Sequence, residues 1–163
     1  MAENKEEKTN VMRVLEQKKI AYTPHSYPHE EGVAVDGVTV AQSMGFDPAI
    51  VFKTLVARGA SKQYYVFDVP VAENLDLKKA AKAVGEKSIE MIHQKELLPL
   101  TGYVHGGCSP VGMKKLFPTV FHSSAENLAA MIVSAGKIGY QVELSPRDLA
   151  ALVRAKFADI IVE

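Results

Sequence analysis

Residues 51–58 (VFKTLVAR) and 63–69 (QYYVFDV) are two β-forming runs separated only by GASK. Branched and aromatic side chains suit a pleated surface, and a short break of Gly and small polar residues turns the chain, so the pair predicts a hairpin. Along the first run the side chains alternate. Val51, Lys53, Leu55 and Ala57 share one face, and Phe52, Thr54 and Val56 share the other. A strand apolar on both faces belongs inside a sheet, yet this one carries a lysine in its middle. A buried ammonium is costly unless it meets a partner or a ligand. The other reading is a gatekeeper lysine on an edge strand, facing solvent. Pattern alone leaves both open.

The remaining pattern is that of one mixed domain. The first eight residues lack an apolar anchor and are expected to fray, with the domain running over 9–163. Thr9 is placed to cap a short helix whose apolar stripe is Val11, Met12, Val14 and Leu15. Residues 20–27 read as extended, and Pro24 confines them to an edge. Residues 39–44 read as a helix stopped by Gly45, and Asp47-Pro48 as a second cap-then-proline start. Leu77, Ala80, Ala81 and Val84 give the i, i+3, i+4, i+7 spacing of a helix over 77–84, closed by Gly85. Short strands are expected near 88–92, 101–105, 118–122, 130–134 and 139–143. Ser145-Pro146 opens a helix to about Arg154, and a strand closes the chain. Strands scattered among helices predict a mixed sheet with helices packed outside.

Composition narrows the function. Nineteen Lys and Arg balance nineteen Asp and Glu, which excludes a polybasic nucleic-acid binder and leaves only a local patch for any RNA contact. Cys108 is the single cysteine, so no internal disulfide and no zinc ribbon can form. No apolar run reaches the roughly 18 residues of a membrane span, and the charged start is no signal peptide. A cytoplasmic protein without membrane or DNA partners is the expectation.

A second candidate site is residues 101–115, TGYVHGGCSPVGMKK. Its glycines let backbone approach a ligand, and Ser109-Pro110 has the form of a helix start able to bind an anion. It fails as a P-loop, because Met113 stands where lysine is needed, and as a nucleophile elbow, because Val111 replaces the final glycine. An ordinary glycine-rich turn is the plainer reading. Cys108 with His105 lacks an identifiable third partner for nucleophilic chemistry. His25 and His29 have metal-like spacing, but Pro24 and Pro28 oppose the helix it requires, so no metal is expected. Asp68, Glu73 and Asp76 read as caps and loop residues. The lysines at 78, 79, 82, 87, 114, 115 and 137 form either a basic rim or, more simply, solvated faces.

In order and spacing, VFKTLV, LDLKKAAKAVG, TGYVHGGCSPVGMKK, VSAGKIG and KFADI resemble the YbaK/EbsC family over about Thr9 to Ile160. These proteins are free-standing relatives of the editing domain in bacterial prolyl-tRNA synthetases. The resemblance implies a mixed α/β fold with a barrel-like sheet flanked by helices, and no cofactor. It implies release of cysteine from mischarged Cys-tRNA(Pro), assisted by the substrate's own thiol, with tRNA and prolyl-tRNA synthetase as partners. It makes Lys53 the catalytic position and Tyr27, Thr54, Gly106, Gly107, Ser134 and Gln141 the substrate-binding ones. Gln141 stands where relatives can carry Asp, and Asp36 where a pocket aromatic can lie. Two further functions stay open: a non-catalytic module binding aminoacyl-tRNA or a synthetase, and a deacylase selective for alanine or another small amino acid.

Overall fold

The computed structural model describes residues 8–30 and 32–163. The expected fraying of the N-terminus therefore falls almost wholly outside the described residues. Helix α1 (Asn10–Gln17) starts where Thr9 Oγ1 accepts the Met12 N–H at 3.3 Å, and it buries Val11, Met12 and Leu15. Strand β1 (Tyr22–Ser26) and helix α2 (Gly37–Met44) follow, and a single 3-10 turn, Pro48–Ile50, delivers the chain into the hairpin. Strands β2 (Phe52–Gly59) and β3 (Tyr64–Pro70) pair antiparallel in continuous register from Phe52–Pro70 to Arg58–Tyr64.

Helix α3 (Leu77–Val84) is capped by Asp76 and ends at Gly85, whose φ of 75° is the left-handed conformation glycine adopts most easily. Strand β4 (Ile89–Met91), helix α4 (Gln94–Thr101), strand β5 (Thr119–His122) and the 3-10 segment Ser123–Asn127 come next. Strands β6 (Met131–Ser134) and β7 (Tyr140–Leu144), helix α5 (Pro146–Val153) and strand β8 (Lys156–Ala158) complete the chain.

The strands form two sheets. The larger has the order β4-β2-β3-β5-β8, with β5 parallel to both β3 and β8, and is therefore mixed. The smaller is antiparallel in the order β1-β7-β6, which leaves the Pro24 strand on an edge. A bridge between Val51 and Ile132 joins the two, and among the described residues they do not close into a barrel. Phe52, Val56, Val66 and Phe121 on one face of the large sheet pack with the small sheet, α1 and α5 into the main core. The other face buries Ala57, Phe67, Val69 and Val120 under Ala80 and Ala81 of α3. Ala41, Val51, Val71 and Ile132 fill the junction between the sheets.

Two local expectations are corrected. No strand forms at 101–105. Instead α4 runs to Thr101, with Pro99 inside it, and turns at Gly102. Proline normally ends a helix, but this one is short and fastened at both ends. Glu96 accepts the His93 N–H at 2.9 Å, and Thr101 Oγ1 donates to the Leu97 carbonyl at 2.7 Å. Nor does Ser109-Pro110 start a helix. Ser109 is buried in irregular chain, and its hydroxyl accepts the Val111 N–H at 3.2 Å.

Candidate active site

Strand β4 covers β2 only along Ala57–Gly59, so the N-terminal half of β2 keeps an open edge. A cavity of about 560 Å³ lies along it, within the range of small-molecule sites. Five consecutive residues, Val51, Phe52, Lys53, Thr54 and Leu55, line this cavity although their side chains alternate between faces. That is possible because the space wraps round the strand edge. The remaining walls come from Tyr27, the 34–37 segment, Leu97, the 105–108 loop, Ser134, Tyr140 and Gln141.

Lys53 is half-buried and lines the cavity. Among the described residues no hydrogen bond or ion pair reaches its ammonium. Burial lowers its pKa, and the more distant charges of Asp36 and Glu73 oppose that shift. The strand pattern had left two readings open, and the structure combines them: Lys53 lies on the uncovered half of β2, but half-buried in a cavity wall rather than as a gatekeeper in solvent. Asp36 is exposed, caps α2 by accepting the Thr39 N–H at 3.1 Å, and puts a carboxylate in the cavity wall.

Thr54 lines the same cavity and donates its hydroxyl to Asp68 Oδ1 across the hairpin. Asp68 corrects the reading of that residue as a cap or loop carboxylate. It is fully buried in β3, its Oδ2 meets no partner among the described residues, and burial pushes its pKa up to about 7. The signal available in sequence was its position inside a strongly β-forming run. Asp76 does cap a helix, as expected. Cys108 is buried beside the cavity, and burial, reinforced by the Asp68 charge, pushes its thiol up to about 12. Such a thiol supplies essentially no thiolate at neutral pH.

Gly106 reaches the cavity with a φ of 89°, and a Cβ there would stand 2.7 Å from Ala34 Cβ. Gly107 lies behind this wall, against the backbone of Lys137 and Ile138. Its carbonyl accepts from Ser134 Oγ at 2.9 Å, and Ser134 Oγ in turn accepts the Gly136 N–H at 3.0 Å. Ser134 therefore fastens the glycine loop to the 134–139 turn, with its hydroxyl hydrogen already used. Tyr27 lines the cavity, and its backbone N–H is tied to the Gly139 carbonyl at 2.9 Å. Gln141 is buried in the wall, with Oε1 unpartnered among the described residues.

The structure thus brings Tyr27, Lys53, Thr54, Gly106, Ser134 and Gln141 to one cavity and puts Gly107 just behind it. His25 and His29 do not join them. His25 Nε2 meets Glu143 at 2.8 Å, and His29 Nδ1 meets the Tyr27 carbonyl at 2.9 Å. The lysines are dispersed. Lys79 pairs with Asp159 and Glu163, Lys114 donates to the Pro99 carbonyl, and Lys137 lies over the Tyr140 ring. No helix among the described residues is long and apolar enough to cross a membrane.

An α/β scaffold with a lysine-bearing strand edge and a glycine loop facing one cavity has a match among known families. The chain belongs to the aminoacyl-tRNA editing domain family, which matches residues 32–152. It is 45% identical over 161 residues, covering 98% of both chains, to EbsC of Enterococcus faecalis (strain ATCC 700802 / V583), provisionally named a Cys-tRNA(Pro)/Cys-tRNA(Cys) deacylase. A crystal structure described as a provisional trans-editing enzyme for prolyl-tRNA synthetase matches with a TM-score of 0.79. That match covers 94% of this chain and 95% of the other at 25% identity. A hypothetical protein at 20% identity shares the fold, with a TM-score of 0.82 over 93% of this chain and 99% of that one.

Proposed function

We propose that this protein is an aminoacyl-tRNA deacylase that removes cysteine from mischarged Cys-tRNA(Pro). The observation that carries the reading is Lys53, an unpaired, partly desolvated ammonium facing a cavity of about 560 Å³. In this reading Lys53 holds an anionic or oxyanionic part of the aminoacylated 3′ end. Tyr27, Gly106 and Gln141 line the space for the aminoacyl group, and Ser134 and Gly107 hold the loop in place. The name borne by the Enterococcus relative points to the same ester.

An aminoacyl ester is already activated, so positioning and charge stabilisation supply much of the rate. The buried Cys108 thiol, pushed up to about 12, is a poor nucleophile. A cysteinyl ester brings its own. Its sulfur attacks the ester carbonyl, a carbon–sulfur bond forms, and the bond from that carbon to the ribose oxygen breaks. The thiol proton ends on the released ribose hydroxyl, giving free tRNA and a cyclic thiolactone. The protein's balanced charge suits a partner that supplies tRNA selection, and prolyl-tRNA synthetase is the partner proposed, in the cytoplasm where charged tRNA is used.

Single-turnover deacylation of Cys-, Ser- and Ala-esters on one tRNA(Pro) tests this. A pocket alone discriminates by only about 1–3 kcal/mol per methylene-sized difference. A much larger preference for cysteine, with thiolactone as first product, is expected. Equal rates on cysteine and alanine, with free amino acid as the sole product, would assign the attack to water.

A further inference from the structure

Asp68 has no role in the mechanism above. It sits inside β3 with no exposed surface, in register with Thr54 of β2 on one side and Phe121 of β5 on the other. Thr54 donates to its Oδ1, and Oδ2 meets no partner among the described residues. Buried polar groups are normally bonded, and a half-satisfied carboxyl in a core is costly. An ionised carboxylate only accepts, so Asp68 takes the Thr54 hydroxyl hydrogen and leaves the lone pairs of Thr54 Oγ1 for the cavity that Thr54 lines.

We infer that Asp68 is a positioning residue, which locks the Thr54 hydroxyl as a hydrogen-bond acceptor for the thiol of the bound cysteinyl ester. This rests on the function proposed above. The thiol is the donor that fits, because Thr54 shares its strand face with buried Phe52 and buried Cys108 also lines the cavity, apolar surroundings that suit a neutral S–H. The substrate's α-ammonium is better met by the exposed carboxylate of Asp36.

Asp68 titrates at about 7, where the protonated acid can donate to Thr54 Oγ1 and turn the threonine O–H toward the cavity. That polarity is wrong for a thiol donor. Thr54 and Phe121 flank Asp68 in register, and Cys108 is near enough for the Asp68 charge to raise its pKa. Cys108 stays protonated throughout this range, and Lys53 projects from the opposite face of β2. With a pKa of about 7, the ionised fraction rises from about one-tenth at pH ~6 to about nine-tenths at pH ~8.

The test compares the wild-type chain with Asp68→Asn, Thr54→Val and Thr54→Ser on Cys-tRNA(Pro) and Ala-tRNA(Pro), between pH ~6 and pH ~8. The rate ratio of wild type to Asp68→Asn cancels ionisation of the substrate itself. On the cysteinyl ester that ratio is expected to rise about tenfold across this range, and on the alanyl ester to stay flat. Thr54→Val should lose the same pH step and Thr54→Ser should keep it. A flat ratio on the cysteinyl ester, an equal step on the alanyl ester, or a step that survives Thr54→Val would each overturn the assignment. Should Asp68→Asn fail to fold, the two Thr54 variants decide alone. A wild-type chain inert on cysteinyl esters would overturn the proposed function and this role with it, whereas an active wild type with an unchanged Asp68→Asn profile would overturn only the role.

Discussion

Lys53→Met separates what the lysine does for the fold from what it does for the reaction. Methionine keeps an unbranched apolar stem in the cavity wall and deletes the ammonium. Burial lowers the lysine pKa, so the folded chain holds that proton less tightly than the unfolded chain. The charged lysine therefore costs stability below its lowered pKa, and the cost fades as pH rises past the ordinary lysine range. Lys53 is only half-buried and solvent screens it, so relief at neutral pH is limited to about 1 kcal/mol. For a domain of this size that is at most about 2–4 °C in Tm. Activity should move the opposite way. Deleting one preorganised group from an oxyanion site costs about 10²–10³ in rate, or roughly 3–4 kcal/mol. Thermal unfolding and single-turnover deacylation of Cys-tRNA(Pro) on the same preparation read both quantities. A loss of more than about 2 kcal/mol in stability, or activity within about threefold of wild type, would make Lys53 structural and refute the reasoning.

Two other substitutions probe the walls. Cys108→Ala should keep deacylation within about threefold while costing about 1–2 kcal/mol of stability from lost core packing, read by rate and chemical denaturation. A folded but inactive variant would restore the cysteine as nucleophile. Gly106→Ala places a Cβ 2.7 Å from Ala34 Cβ at a φ of 89°, so it should cost about 1–2 kcal/mol and lower the deacylation rate together. Unchanged unfolding and unchanged rate would show that this loop does not shape the site.

Much of this molecule was legible from residue order because its elements begin and end on local chemistry. Thr9, Asp76 and Ser145 each cap the helix that follows, and Gly45 and Gly85 each end one in a left-handed turn. The hairpin carrying Lys53 and Thr54 was legible for the same reason, since alternation and a polar break are properties of adjacent residues. Helix α4 was not, because Pro99 argues against it and only bonds across the fastened turn offset that.

What alternation could not decide was where the strands end up. Lys53 faces a cavity because β4 stops short along β2, and Ser134 meets Gly107 because two loops distant in sequence pack together. Asp68 reads in sequence as a polar residue near a proline, and becomes a buried carboxyl only when β2 and β5 close on either side of β3. Capping and alternation act over a few residues and are written in residue order. Desolvation and unmet hydrogen bonds depend on what the rest of the chain packs against a group, and only the tertiary structure sets them.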